Sequence, residues 1–390
     1  MKIVCFTGEK YYKDKNSQYL SSSDSFKFVE NTFGAEHVYY IIGAKQEESN
    51  ASGYSLNSDN VLFEIPYFRN NISVLKFILF PKNYFKLIRY FDDIINNCKN
   101  DIFWVRNPAL ISILFSNRLI KHNKKFISHF CADVDGISKS KYKGIKLYLS
   151  LLIEKYILKR MSVISNNKNS LSFSTGSVLS NRYKKSIYLI DVIIPNNDAS
   201  LLNNRINIPP SKYYLFVGRV QKDKGIFNLV NAFSQLKTNE KLLIAGSGID
   251  SIELKNLIDS DKKYNNIKML GFVKKEELSS LYKNCHAVII PSNNSYEGFP
   301  RVIIESWYHK KPVIVTNLPG IVKFAKNEYN CLIINGNNSH ELLLAIKKLN
   351  DEDLYSIITS NITNNNEFTL PAYWHRIVRE NVHDFISKNK

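Results

Sequence analysis

The chain has 390 residues, of which 44% are apolar and 13% aromatic, and its formal net charge is +18 at pH 7. This apolar content excludes an intrinsically disordered chain, and the length exceeds what one ordinary hydrophobic core covers, so we expect two domains. The five cysteines are scattered without a CxxC pair, which favours a reduced, intracellular protein, and no apolar run approaches the roughly 20 residues that span a bilayer.

The first half of the chain alternates short apolar segments with stretches that have helical spacing. The predicted strands are residues 2–6, 38–42, 61–65, 102–105 and 125–128, and residues 75–95 have the spacing of an amphipathic helix. Alternating strands and helices predict a parallel sheet covered by helices on both faces, with right-handed crossovers. An Asn- and Pro-rich stretch follows a further strand at 187–190, and it is the best candidate for a linker between domains.

Positive charge is concentrated in the first half. From Arg69 to Lys185 there are 22 Lys and Arg residues against 6 Asp and Glu residues, an excess of 16. A basic surface favours a polyanionic partner, which is a nucleic acid, an anionic membrane leaflet or a phosphorylated substrate, unless the lysines serve only solubility. No RNP aromatic pair, GXXG loop or zinc finger accompanies the charge, so we do not expect a nucleic-acid partner.

Residues 138–160 form a basic run that passes into an amphipathic helix. We expect Leu147, Leu151, Tyr156 and Leu158 to pack inward while the lysines stay in water. Such a helix either lies on an anionic leaflet or serves as an ordinary surface helix, and the sequence leaves both open.

A second series of strands and helices follows the linker. Its predicted strands are residues 213–217, 241–245, 267–270, 287–290, 312–315 and 332–335. Each of the first three strands ends in a glycine turn, with Gly218 in the first, Gly246 and Gly248 in the second, and Gly271 in the third. Glycine allows the backbone to approach a ligand closely. These turns therefore predict a ligand site along one edge of the second sheet.

Two carboxylates lie eight residues apart near the end of the strand at 287–290. Glu297 falls in the loop before a predicted helix, and Glu305 falls inside that helix. We expect Pro300 at the first helical position, where its missing N–H has no partner to lose. Open α/β sheets bind ligands at the carboxyl ends of their strands, and a helix start offers free N–H groups to an anion. The stretch therefore predicts a ligand crevice with an anion-binding part.

Several segments together resemble the family 4 retaining glycosyltransferases of the GT-B fold. They are VGRVQKDKG (217–225), AGSG (245–248), LGFV (270–273), EGFPRVIIE (297–305) and KPVIVTN (311–317). The resemblance covers residues 213–335, whereas the first half shows only the general architecture. It implies two doubly wound Rossmann-like domains that face a central cleft. Residues 1–196, with a final helix at 372–390 packed back on them, would bind the acceptor, and residues 197–371 would bind the nucleotide-sugar donor.

The resemblance also implies ligand contacts in the second half. Arg219 and Lys224 would act in catalysis by stabilising charge on the donor diphosphate, the alternative being two solvated cations. Glu305 would accept hydrogen bonds from the ribose hydroxyls, and Glu297 from hydroxyls of the donor sugar. The turn with Phe272 and Val273 would lie beside the base. The other implied substrate-binding residues belong to the glycine turns and the helix start: Gly218, Gly246, Gly248, Gly298, Phe299 and Pro300.

Asp133 and Asp135 follow the strand at 125–128 and form a pair that looks like a metal-binding DxD. GT-B enzymes need no such metal, so the resemblance argues against a metal site, and no HExxH pair supports zinc. In GT-B relatives a polar residue here faces the donor sugar, so Asp133 is the first candidate for a catalytic role at the anomeric centre and His129 the second. A simple turn or a helix N-cap made by Asp133 is the alternative.

The implied activity is metal-independent transfer of a sugar, with retention of configuration, from a UDP- or GDP-linked donor to a hydroxyl. No cofactor is expected. The acceptor would be a glycan or a polyprenyl-diphosphate-linked glycan at the cytoplasmic face of the membrane, in bacterial surface polysaccharide synthesis. Two alternatives remain, a nucleotide-sugar epimerase of GT-B fold and a non-catalytic polyanion-binding protein. Two positions depart from the family pattern: Gly8 stands where relatives often have two glycines, and Lys323 replaces a glutamate.

Overall fold

A computed structural model describes residues 2–21, 23–46, 54–194, 209–236, 239–293, 299–335, 338–364 and 367–387. The chain divides into two compact units. The first consists of Met1–Ile193 and Trp374–Lys390, and the second of Ile194–Tyr373. The predicted domain boundary after residue 196 lies outside the described residues.

The first unit is built on a nine-stranded sheet. Its strands are β1 (Ile3–Lys13), β2 (Tyr19–Ser21), β3 (Val38–Gln46), β4 (Tyr54–Leu56), β5 (Val61–Ile65), β6 (Ile102–Asn107), β7 (Phe126–Phe130), β8 (Ser170–Thr175) and β9 (Ile187–Leu189). Seven strands are parallel in the order β5-β3-β1-β6-β7-β8-β9, and β2 and β4 add an antiparallel extension at the end of β1. The strand order reverses between β1 and β6, which creates a switch point at their carboxyl ends.

Among the described residues, seven helices connect the strands of the first unit. They are α1 (Phe26–Phe33), α2 (Asn71–Ile78), α3 (Pro81–Asn97), α4 (Leu110–Lys121), α5 (Ile137–Lys141), α6 (Gly144–Asn166) and α7 (Ser177–Arg182). α4 packs against both α3 and α6, and Phe91 of α3, Phe115 of α4 and Ile157 of α6 belong to one core with the sheet. Because α3, α4 and α6 each lead into the next parallel strand, they run antiparallel to the strands, and their N-terminal ends lie at the carboxyl edge of the sheet.

Two features of the first unit differ from the sequence-based expectation. Residues 75–95 form parts of two helices instead of one, because Pro81 lacks an N–H and its ring does not fit the interior of a helix. Pro81 instead begins α3. β8 was not expected, since its sequence SLSFST is largely hydroxylic, yet Ser172, Ser174 and Thr175 are buried with Phe173. It pairs with β7 on one side and with the edge strand β9 on the other, so it is an interior strand of the sheet.

The predicted inward face of α6 is wrong. The buried apolar residues of the helix are Ile153, Ile157, Met161 and Ile164, whereas Leu147, Leu151 and Leu158 are half-buried and Tyr156 is exposed. The helix is apolar on nearly every side, so its own spacing did not indicate which side meets the sheet. Among the described residues, no helix has the length and apolarity needed to cross a membrane.

The last helix, α14 (Pro371–Ser387), contributes most of its length to the first unit. The Trp374 ring packs against Tyr188 at a centroid distance of 6.0 Å, and the His375 ring meets Phe28 at 5.1 Å. Arg379 Nη1 donates to the Thr32 carbonyl at 3.2 Å. These contacts join the end of the chain to its beginning.

The second unit has a six-stranded parallel sheet of order β12-β11-β10-β13-β14-β15. The strands are β10 (Tyr213–Val217), β11 (Lys241–Ala245), β12 (Ile267–Gly271), β13 (Ala287–Ile290), β14 (Val313–Thr316) and β15 (Leu332–Ile334). The helices are α8 (Ile226–Phe233), α9 (Ser251–Asp259), α10 (Lys275–Asn284), α11 (Arg301–Tyr308), α12 (Ser339–Lys348) and α13 (Glu352–Asn364). The order reverses between β10 and β13, so the switch point of this sheet lies at their carboxyl ends.

Candidate functional site

The loops that follow β10 and β13 meet at the switch point of the second sheet. The backbone N–H of Asn293 donates to the carbonyl oxygen of Asp223 at 3.1 Å, which ties the loop after β13 to the loop after β10. The first loop carries Arg219 and Lys224, and the second leads toward Glu297. Glu297 and Gly298 lie outside the described residues. The structure thus gathers the predicted diphosphate-binding residues at the crevice where doubly wound sheets bind their ligands.

The three glycine turns of the second sheet hydrogen-bond to one another. Gly218 N donates to Ala245 O at 3.0 Å, and Gly246 N donates to Gly271 O at 2.7 Å. A Cβ on Gly246 would lie 1.8 Å from Gly218 O, and a Cβ on Gly248 would lie 2.2 Å from the carbonyl oxygen of Val220. Glycine is therefore required for the turns to contact each other, which is a different reason from the close ligand approach that we expected. Their ligand contacts stay predictions.

Arg219 and Lys224 differ in their surroundings. The Arg219 side chain is exposed, and no described residue forms an ion pair or a hydrogen bond with it. Lys224 is half-buried at the end of a short 3-10 helix (Lys222–Lys224) that stops at Gly225, whose φ of +69° is left-handed. Asp250 Oδ2 accepts a hydrogen bond from Lys222 N at 2.8 Å and fixes the loop. The guanidinium of Arg219 is therefore open to an anionic ligand on an ordered loop.

The turn after β12 presents two side chains with opposite exposure. Gly271 has a φ of +70°, which is left-handed and suits glycine. Phe272 is 44% exposed, and Val273 is buried. Only Phe272 offers a side-chain face to a ligand, and a base beside this turn stays a prediction.

The helix start after β13 differs in detail from the prediction. Pro300 is not the first helical residue, because its ψ of 114° is extended and α11 begins at Arg301. Phe299 is buried with its ring 6.0 Å from the ring of Phe324, so its side chain belongs to the core. Trp307 Nε1 donates to Asn330 O at 2.9 Å and anchors the other end of the helix. Phe299 could therefore contact a diphosphate only through its backbone N–H, and Pro300 has no N–H to offer.

Glu305 of α11 is packed against polar side chains of α10. Its side chain is 11% exposed, and its Oε2 accepts a hydrogen bond from Tyr282 OH at 2.8 Å. Its Oε1 lies 3.7 Å from Nζ of Lys275, the first residue of α10. Burial, followed by the charge of Glu305, raises the pKa of Tyr282 well above its usual range, so Tyr282 remains a donor. The carboxylate is thus held by two residues that the sequence analysis missed.

In the first unit, the two candidate catalytic residues, Asp133 and His129, both form hydrogen bonds within the protein. Asp133 Oδ1 accepts hydrogen bonds from Arg182 Nη1 at 2.9 Å and from Asp135 N at 3.1 Å. Arg182 Nη2 also donates to Asp135 Oδ2 at 2.8 Å, so one guanidinium bridges the DxD pair. Burial raises the pKa of the Asp133 carboxyl group, although the Asp135 N–H and Arg182 act in the opposite direction. The bond to Asp135 N agrees with the turn alternative; a helix N-cap does not fit, because Gly136 caps α5.

His129 is enclosed at the end of β7. Its Nε2 shares a hydrogen bond of 2.9 Å with Thr175 Oγ1, and its ring meets Trp104 at a centroid distance of 5.7 Å. Burial lowers its pKa to about 4, while Asp191 acts to raise it and Arg106 to lower it further. His129 is therefore neutral at neutral pH and closed off from solvent in this structure.

A buried charge cluster at the switch point of the first sheet was not anticipated. Arg106, near the end of β6, donates to Glu9 and to Ser25 Oγ, and its Nη2 lies 3.5 Å from Asp191 Oδ2. Glu9 also accepts from Ser23 Oγ at 2.9 Å. Glu9 Oε2 and Arg106 Nε are buried without a hydrogen-bond partner among the described residues. The members come from distant parts of the chain, so no local pattern could have indicated the cluster.

Gly8 has a local structural role at the same edge. Its φ is +63°, and a Cβ there would lie 2.5 Å from Ser112 Oγ and 3.1 Å from Ala109 Cβ. Gly8 therefore lets the start of α4 approach the turn in β1. Within the described ranges, no group of three His, Cys, Asp or Glu side chains is placed to hold a metal ion.

The His129→Gln substitution should reduce the acid sensitivity of the first unit. An unfolded histidine binds a proton near pH 6.5, whereas the folded pKa is about 4, so the unfolded state binds more protons between these values. The free energy of unfolding should therefore fall by about 3 kcal/mol through His129 as the pH falls from above 6.5 toward 4. Urea unfolding from pH 7.5 to 4.5 should show a shallower decline for the variant. Parallel pH profiles for the two proteins would contradict this.

Comparison with known proteins gives a family match and related chains. Residues 202–365 match the model for glycosyl transferases group 1. The uncharacterized glycosyltransferase MJ1607 of Methanocaldococcus jannaschii is 33% identical over 153 residues, which is 38% of this chain and 39% of MJ1607. The capsular polysaccharide biosynthesis glycosyltransferase CapM of Staphylococcus aureus is 27% identical over 290 residues, which is 71% of this chain and 68% of CapM. The chain thus spans about two fifths of the length of MJ1607.

The fold has clear counterparts among solved structures. The crystal structure of Anabaena Alr3699/HepE in complex with UDP matches with a TM-score of 0.68 and 14% identity, covering 98% of this chain and 100% of that chain. This likeness confirms the predicted α/β class and the GT-B fold. At this level of identity, it is evidence for the fold alone.

Proposed function

We propose that this protein transfers a sugar from a nucleotide-sugar donor to a hydroxyl group. Residues 202–365 match the model for glycosyl transferases group 1, which supports this activity. The observation that carries the proposal is the exposed Arg219 guanidinium at the switch point of the second sheet, beside the loop that leads to Glu297. A UDP- or GDP-linked donor is part of the proposal, and UDP is the nucleotide in the HepE complex. Both retention of configuration and independence from metal belong to the proposal.

The donor half of the mechanism is charge stabilisation by the protein. Cleavage of the sugar–phosphate bond leaves negative charge on the diphosphate, and fixed donors aimed at that charge lower the barrier. Arg219 supplies a planar fork for two phosphate oxygens, and Lys224 supplies a second cation. Glu305, with its Oε2 held by Tyr282, keeps acceptor capacity for the ribose hydroxyls. These cations supply the positive charge that a metal ion gives other transferases, so no cofactor is part of the proposal.

The first unit is the acceptor-binding half in this proposal. Asp133 keeps the role of guiding the acceptor hydroxyl or stabilising the sugar cation, with its carboxylate oriented by Arg182. His129 is the weaker candidate, since it is enclosed and neutral. The likeness to CapM supports a role in bacterial surface polysaccharide synthesis. The excess of basic residues in this unit supports a lipid-linked diphosphate acceptor and a peripheral position at the inner face of the membrane.

A screen of nucleotides for thermal stabilisation tests the proposal. A ligand that binds only the folded protein raises the melting temperature by mass action, so UDP or GDP, or a sugar conjugate of one of them, should do so. AMP and inorganic phosphate are the matched controls, and we expect smaller shifts with them. The shift with the best nucleotide should persist in EDTA. If no nucleoside diphosphate or nucleotide sugar raised the melting temperature, the proposed function would be refuted.

A further inference from the structure

The outer side of α6 exposes large apolar side chains. Ile145, Tyr148 and Leu152 follow each other at spacings of three and four residues, which places them on one side of the helix, and each is at least half exposed. The opposite side of the helix carries the buried residues Ile153 and Ile157. A surface helix normally presents polar residues to solvent, so this second apolar side needs a separate explanation.

A second exposed apolar group lies where α2 passes into α3. Leu79, Phe80 and Phe85 are between 64% and 68% exposed. α3 and α6 both pack against α4 in one helical layer, with their N-terminal ends at the carboxyl edge of the first sheet. The two groups therefore share one end of this layer. We call the six residues the apolar rim: Leu79, Phe80, Phe85, Ile145, Tyr148 and Leu152.

The charge around the apolar rim is predominantly positive. No carboxylate occurs between Glu64 and Asp92, and Glu154 is the only one between Asp135 and Asp191. Both oxygens of Glu154 are engaged, with Gly136 N at 3.1 Å and Ser138 N at 2.9 Å. The basic residues that flank the rim are exposed: Lys76, Lys82, Lys86, Arg89, Lys143, Lys146, Lys155 and Lys159.

We propose that the apolar rim and its flanking lysines dock onto an anionic lipid bilayer. Anionic head groups attract the lysines, while the apolar side chains enter the boundary between head groups and hydrocarbon. A second copy of the chain would bring the same cations together, and a nucleic acid would leave Leu79, Ile145 and Leu152 without apolar partners. An anionic bilayer provides partners both for the lysines and for the exposed apolar side chains.

The inference rests on the proposed function and makes its membrane part specific. The rim lies at the edge of the first sheet that also carries His129 and Asp133, so docking would place that edge next to the bilayer. A lipid-linked acceptor would then reach the first unit directly from the membrane surface. The lysines alone predict only electrostatic attraction to the head groups, which salt screens. The apolar rim predicts that side chains also insert into the bilayer, and that part of the binding should depend far less on salt.

The test measures binding of the full-length protein to phosphatidylcholine–phosphatidylglycerol vesicles by co-sedimentation. The variant Ile145→Ser/Tyr148→Ser/Leu152→Ser should lower the partition coefficient about 100-fold, because each lost side chain accounts for roughly a fivefold change. The matched control is Ile249→Ser/Ile252→Ser, which removes two apolar residues of the second unit that are 83% and 76% exposed. This control should bind as the wild type does.

A second variant isolates the charge contribution. Lys143→Ser/Lys146→Ser should reduce partitioning about 25-fold on anionic vesicles, since each lysine near an anionic surface contributes roughly fivefold. It should change little on pure phosphatidylcholine vesicles. The apolar variant should instead lose binding on both kinds of vesicle.

Three outcomes would overturn the proposal. The first is unchanged vesicle binding by the apolar variant. The second is a wild-type dimer in sedimentation equilibrium that the apolar variant converts to monomer, which would assign the rim to a second copy. The third is single-stranded RNA binding that the variant loses while vesicle binding persists. UDP binding, measured separately by calorimetry, should be equal in variant and wild type. A wild type without nucleotide binding would instead refute the proposed function and leave the vesicle result standing.

Discussion

Arg219→Ala should reduce kcat about 10²- to 10³-fold, the range seen when one donor to a developing oxyanion is removed. The Arg219 side chain is exposed and has no partner among the described residues, so its loss should leave the melting temperature unchanged. A larger effect on kcat than on KM is expected, because charge on the leaving diphosphate grows toward the transition state. Steady-state transfer or donor-hydrolysis rates with a UDP-sugar would measure both constants.

The matched control for this prediction is Lys222→Ala. Lys222 lies in the same loop and is also exposed, but its Nζ pairs with Glu253 Oε1 at 2.8 Å and lies over the Phe227 ring. Its replacement should leave kcat within about twofold, since an exposed ion pair contributes little. Arg219→Lys should recover part of the rate, as it keeps the charge and loses the planar fork. Wild-type turnover in Arg219→Ala would remove Arg219 from the mechanism.

Much of the second unit could be predicted from the sequence because its signals are local. Its six strands match their predicted bounds within one residue, since continuous apolar runs between turn residues have few other interpretations. In the first unit, β8 was missed because serine and threonine do not form an apolar run. The buried side of α6 was missed because apolar residues surround that helix, and only its packing on the sheet selects Ile153 and Ile157.

The candidate site shows the same division between local and tertiary information. The sequence motifs pointed to Arg219 and Glu305, but the partners of Glu305 come from α10, more than 20 residues earlier. Arg106 and Glu9 are 97 residues apart, and only the central position of β1 and β6 in the sheet brings them together. The sequence can therefore predict which single residues belong to the site. It cannot predict the contacts that orient these residues, because those contacts depend on the order of the strands in the sheet.

Glu305→Gln should weaken nucleotide binding itself, with a rise in the Kd for UDP of roughly 10- to 100-fold. The reason is that hydrogen bonds to a charged group contribute about 1.5–3 kcal/mol, more than those to a neutral amide. Glutamine is nearly isosteric and can still accept the hydrogen bond of Tyr282, so the packing of α11 against α10 should be kept. The loss of charge leaves the Lys275 ammonium, 3.7 Å from Oε1 in the parent protein, without its carboxylate.

Calorimetry with UDP and 2′,3′-dideoxy-UDP separates a ribose contact from a general loss of structure. The wild type should bind the dideoxy nucleotide as weakly as Glu305→Gln binds UDP, because the hydrogen bonds between the carboxylate and the ribose hydroxyls are missing in both cases. For the same reason, the variant should bind the two nucleotides with nearly equal affinity. Tyr282→Phe keeps the carboxylate but removes the hydroxyl that fixes Oε2, so its Kd for UDP should rise only several-fold. If the variant instead lost affinity for UDP and for the dideoxy nucleotide by the same factor, Glu305 would be supporting the packing of α11 against α10. Unchanged affinities of the variant for UDP and GDP would exclude the ribose contact. Since Glu305 is buried against α10, the nucleotide preference decides between a structural and a ligand-binding carboxylate, which stability measurements alone cannot do.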